Sequence, residues 1–116
     1  LFDRLNRAGA VFHPQKDATR IQQVMLRNSF KFYWNLAHED PSGGVKVYPM
    51  TEYFDDQAND SNIWYKTLIP GYRVIPSSQL PSGVAFGVKY TTLAMNPLLL
   101  LPWLKEKLGA RGVKFI

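Results

Sequence analysis

The chain has no cysteine, which excludes disulfides, thiolate metal sites and cysteine nucleophiles. Histidine is nearly as scarce. His13 and His38 stand apart on either side of a helical pattern, so their spacing supports neither a zinc site nor a nucleophile–histidine arrangement, and each reads as a surface residue. Long apolar runs are missing too. The longest, Leu98–Leu101, falls far short of the roughly 20 residues that span a bilayer, and the opening residues carry no signal-peptide pattern. No phosphate-binding glycine fingerprint occurs, since Gly83–Gly87 has neither the spacing nor the helix that must follow it. The acidic stretch with Asp55, Asp56 and Asp60 lacks the mid-loop glycine and closing glutamate of a calcium loop, and reads as solvated loop. Neither Glu39 with Asp40 nor Glu52 with Asp55 is marked as an acid/base couple. No metal site and no catalytic residue is therefore assigned.

What is present is an ordinary globular composition. Hydrophobic residues make up 46% and charged residues 20%, which excludes wholesale disorder. The net charge is +5, but Arg4, Arg7, Lys16, Arg20, Arg27 and Lys31 are scattered. A nucleic-acid footprint clusters its charge, so a solvated surface is expected and no nucleic-acid or membrane partner. Aromatics reach 14% and need an interior or a partner to cover them.

Along the chain, residues 1–17 read as loop. A helical period runs from about Thr19 to Ala37, with Ile21, Met25, Phe32 and Leu36 on one face, widened by Val24 and Leu26. Asp17 is the expected N-cap, and Pro41-Ser42-Gly43-Gly44 ends the helix. Phe30, Phe32, Tyr33 and Trp34 at this spacing indicate core or interface packing rather than a base-stacking platform. Val45–Tyr48 alternates as a strand, and Thr51–Asp55 is a second extended piece. Ile63–Ile69 reads as extended. Tyr72–Ile75 follows a Pro70-Gly71 turn, and Val84–Leu93 is a longer strand with Phe86, Val88 and Tyr90 on one face. Asn96-Pro97 opens a second helix through Leu98, Leu101, Leu104 and Leu108, bent at Pro102 and stopped by Gly112. Val113–Ile116 has the pattern of a strand opening. The expected class is mixed α/β, and the chain is expected to be an internal piece of a larger protein.

Several ordered segments carry a resemblance. Trp64-Tyr65-Lys66, Pro70-Gly71-Tyr72-Arg73, Pro76-Ser77-Ser78, Pro81-Ser82-Gly83, Gly87–Leu93 and Gly112-Val113-Lys114-Phe115 together resemble the mid-region of fungal D-amino-acid oxidases. Arg7-Ala8-Gly9-Ala10-Val11-Phe12-His13-Pro14 looks like that family's segment beside the flavin, with Arg7 where Trp is commoner and Val11 where a polar residue is commoner. The resemblance implies a two-part fold. Residues 1–17 would be a flavin-proximal loop and 18–116 a partial substrate domain, ending at a strand that returns to the FAD-binding domain. It implies FAD as cofactor, with Ala8, Gly9 and Ala10 as contacts, since small residues admit the backbone to the ring. Val11 and Phe12 would face the flavin or substrate. The implied reaction is oxidative deamination of a D-amino acid by oxygen, in a protein that is peroxisomal by this resemblance and otherwise cytoplasmic, with a homodimer as a further expectation. Tyr72 and Arg73 match the pattern and read as structural. The family's glycine fingerprint and its substrate-clamping Arg and Tyr would lie outside this sequence, leaving the chain inactive alone. A non-catalytic binding module and a degenerate oxidase relative, hinted at by Arg7 and Pro102, are the alternatives.

Overall fold

A computed structural model describes residues 10–112. The architecture is mixed α+β, as expected. Helix α1 spans Arg20–Glu39 and helix α2 spans Pro97–Ala110. Strands β1 (Ala10–Val11), β2 (Val45–Phe54), β3 (Arg73–Val74) and β4 (Phe86–Met95) form a sheet in the order β1–β4–β2, with β3 also paired to β4. No described helix is long and apolar enough to cross a membrane. The chain divides into two compact units, and β2 and β4 contribute residues to both.

The first unit comprises Leu1–Phe12, Asn28–Val47 and Leu93–Ile116. Here β1 pairs antiparallel with the end of β4, Ala10 opposite Met95 and Val11 opposite Ala94, and Phe12 N–H donates to Leu93 O at 2.8 Å. The start of α2 follows the expected chemistry: Asn96 Oδ1 accepts from Leu98 N–H at 3.0 Å, and Pro97 takes the first position. Gly112 has a φ of 87°, the left-handed stop anticipated after this helix. Between α1 and β2, a 3₁₀ turn over Pro41–Gly43 packs against α2, and Trp103 Nε1–H donates to Asp40 Oδ2 at 2.8 Å. Asp40 also accepts from Ser42, and these bonds hold its carboxyl below the usual range. Gly44 is required twice over. Its φ is 74°, and an added Cβ would meet Leu99 Cβ at 2.6 Å.

The second unit comprises His13–Arg27 and Tyr48–Thr92. Its interior holds Phe54, Ile63, Tyr65, Ile69, Ile75, Phe86, Val88 and Tyr90, and β3 pairs antiparallel with β4 through Arg73–Lys89 and Val74–Val88. The opening of α1 is a reciprocal capping box. Thr19 Oγ1 accepts from Gln22 N–H, and Gln22 Oε1 accepts from Thr19 N–H. The cap is thus Thr19, not Asp17, because the helix begins at Arg20 and only Thr19 places its hydroxyl within reach of that turn.

Three further expectations are corrected. Val45–Tyr48 and Thr51–Asp55 are one continuous strand, since β2 ends the sheet order and Pro49, which has no N–H to give, is tolerated on an edge strand. Ile63–Ile69 is not extended. Trp64–Thr67 is a 3₁₀ helix closed by Leu68 N–H to Tyr65 O at 2.9 Å, and Ile63, Tyr65 and Ile69 are buried in and beside this turn. The face assigned to α1 is buried only at Leu36. Phe30 and Leu36 are buried, whereas Ile21, Val24, Met25 and Phe32 are exposed, Ile21 by 75%. Apolar residues surround this helix, so period alone could not choose the packed side. In α2 the same ambiguity leaves Leu100 buried and Leu98, Leu101 and Leu108 exposed.

Candidate functional site

Of the residues implied by the resemblance, Ala8 and Gly9 lie outside the described residues, as does the strand pattern of Val113–Ile116. Ala10 and Val11 form β1, with their backbones engaged by β4. Phe12 is buried with its ring edge-on to Phe30, centroids 5.2 Å apart. Tyr72 donates its hydroxyl to Asp60 Oδ2 at 3.1 Å, and Arg73 donates to Gly71 O at 3.2 Å.

The residues that do converge are His13, Glu52, Tyr65 and Tyr90, all in the second unit. Glu52 sits on β2 in phase with Tyr48, Met50 and Phe54, the less exposed side of that strand. Its Oε2 meets His13 Nε2 at 2.8 Å. Its Oε1 accepts from Tyr65 Oη–H at 2.8 Å and from Tyr90 Oη–H at 2.5 Å. Both tyrosines are buried, and their rings meet edge to face at 6.2 Å. Beside them lies a cleft of about 480 Å³ lined by His13, Pro14, Gln15, Lys16, Asp17, Glu52 and Tyr65.

The electrostatics follow from this geometry. Burial works to raise the Glu52 carboxyl, but hydrogen bonds from His13, Tyr90 and Tyr65, with the His13 charge, more than offset it and hold the group below its ordinary value. The Glu52 bond raises His13 above 6.5 against the opposing effect of burial. Tyr65 and Tyr90 are pushed up by burial first and by their bonds to Glu52 second, so both stay protonated donors. Every described buried side-chain polar atom has a partner. With three donors on its two oxygens, Glu52 is an engaged acceptor rather than a free general base. What it can do is keep a positive charge on the half-exposed imidazole at the mouth of the cleft.

Sequence reasoning left Glu52 unassigned and took His13 for a surface residue. A charged residue in the inward phase of a strand was the available signal, because such a position demands a partner. The partners' identities were not readable, since Tyr65 and Tyr90 occupy positions that the pattern marks simply as apolar.

No known family model matches this sequence. The chain is similar to the D-aspartate oxidase of Talaromyces thermophilus, at 27% identity over 121 residues, covering 94% of this chain and 32% of that protein. This is a relationship to an oxidoreductase. The chain spans about a third of the length of the curated relative it matches.

A dinucleotide needs a turn of backbone N–H groups at a helix N-terminus to take its phosphates. Among the described residues, the positive-φ glycines are Gly44, Gly71, Gly83 and Gly112, and none of them opens an α-helix. Gly44 is closed off by Leu99. The nucleotide part of FAD therefore finds no cradle in the described residues.

Proposed function

We propose that this chain is part of a flavin-dependent oxidoreductase that deaminates D-amino acids, forming the imino and then the 2-oxo acid while oxygen is reduced to hydrogen peroxide. The observation that carries the reading is the similarity to a D-aspartate oxidase over 94% of the chain. The ordered segments from Arg7 to Pro14 and from Trp64 to Phe115 agree with it. In this reading FAD supplies the two-electron acceptor and is held mainly by protein beyond these residues, with Ala8, Gly9 and Ala10 as this chain's contacts and Val11 and Phe12 on the flavin or substrate side. The 116-residue chain alone is inactive and binds FAD weakly or not at all. The relative's substrate makes acidic D-amino acids the first to test, and the resemblance favours a peroxisomal homodimer.

The test is expression from the complete reading frame. Oxidised-flavin absorbance in the purified protein, with peroxide released from D-aspartate or a neutral D-amino acid but not from the L-enantiomers, is expected. A colourless protein that releases no peroxide with added FAD would overturn the reading.

A second reading, a non-catalytic binding module, has one observation in its favour. Ile21, Met25, Leu98 and Leu101 are apolar and exposed, each by more than half. It requires the 116-residue chain to be stable alone and to retain a partner, and the absorbance measurement separates the two.

A further inference from the structure

Residues His13 to Asp17 form no helix or strand, yet side chains fasten them at successive positions. His13 is bonded to Glu52 at 2.8 Å. Pro14 is fully buried. The Gln15 carbonyl accepts from Trp64 Nε1–H at 2.6 Å. Lys16 donates to Gln57 Oε1, stands 3.9 Å from Asp56, and lies 4.7 Å over the Phe54 ring. These residues form one wall of the cleft, and Glu52 and Tyr65 belong to the remaining lining.

We propose that His13–Asp17 is a proton-gated latch, clamped to β2 through His13 and Glu52 while the imidazole carries its proton and released when that proton is lost. The groups facing His13 are Glu52 from β2, Tyr65 from the 3₁₀ helix and, through Glu52, Tyr90 from β4. Lys16 and Asp17 line the cleft from its own segment. The imidazole is the group here suited to change charge near neutrality, since the tyrosine hydroxyls stay protonated and Glu52 is held ionised. Losing the proton turns a charge-assisted bond between two ions into a weaker bond from a neutral ring. It also leaves the Glu52 charge without its counter-ion.

The sign follows from linkage. The folded His13 value is raised, so its stabilising contribution is complete below 6.5 and is lost as pH rises through the raised value. The Glu52 value is lowered, so its contribution is lost only as acid protonates the carboxylate. The latch is thus closed in mild acid and opens with rising pH. It is independent of the oxidase chemistry proposed above.

Trp64 provides the reporter. In an NMR titration of the protein expressed from its complete reading frame, the Trp64 indole N–H resonance should move with the same midpoint as the His13 ring protons. His13→Gln keeps an N–H donor for Glu52 without a titrating group, and should leave the Trp64 resonance flat across that range. Glu52→Gln should bring the His13 midpoint down, and a near-ultraviolet circular dichroism spectrum checks that this variant is folded. A Trp64 shift that persists in His13→Gln, or one whose midpoint differs from that of His13, would overturn the latch.

Discussion

The two units hold themselves together by different means. In the first, order comes from local backbone chemistry and close approach: an Asn–Pro helix start, a left-handed Gly44, and a 3₁₀ turn capped by Asp40. In the second, it comes from a polar cluster within an otherwise apolar interior, where Glu52 gathers two buried hydroxyls and an imidazole. The first kind of order depends on residues whose conformational preferences travel with them. The second depends on groups that have no preference for one another until the chain has folded, and then cannot be separated cheaply because a buried carboxylate needs its donors.

The sharpest way to break the first unit alone is Gly44→Ala. The left-handed backbone and the 2.6 Å approach to Leu99 Cβ both oppose a side chain, and about 2 to 4 kcal/mol of stability should be lost by denaturant unfolding. Gly83→Ala is the control. Gly83 has a φ of 85° but nothing within 4 Å of its added Cβ, so only the backbone cost of about 1 kcal/mol should appear.

For the second unit, Tyr90→Phe removes one donor from Glu52 and leaves the ring packing intact. A loss of about 1.5 to 3 kcal/mol is expected, as for a hydrogen bond to a charged group. The His13 midpoint in the same NMR titration should also shift, which a purely structural role for Tyr90 would not produce. An unchanged stability would remove the distinction between the units.

The smallest effect belongs to Asn96→Ala. Losing the bond to Leu98 N–H should cost about 1 kcal/mol, measured by thermal unfolding. Its circular dichroism should show fraying at the start of α2, with the His13 midpoint unmoved.

Much of the candidate site stayed hidden in the sequence for a definite reason. Glu52 is joined to Tyr90 across 38 positions and to Tyr65 across 13, and no local period carries such pairings. Helix α1 shows the same limit in another form. Its apolar residues occupy more than one face, so the pattern located the helix and its buried Leu36, but Ile21 and Met25, set on the same face, are exposed. Ile63–Ile69, read as extended, is instead built on a 3₁₀ turn.

By itself the sequence determined the mixed helix-and-strand class, the Asn96-Pro97 start and Gly112 end of α2, the turn after α1, and the long strand bearing Phe86, Val88 and Tyr90. Each rests on a φ restriction, a capping side chain or a short-range period, which are properties of neighbouring residues. Only the tertiary structure decided which helix faces are covered, that β2 runs unbroken through Pro49, and that His13, Glu52, Tyr65 and Tyr90 form one cluster. Those outcomes depend on burial and on hydrogen-bond satisfaction across distant segments, and neither exists before the segments meet.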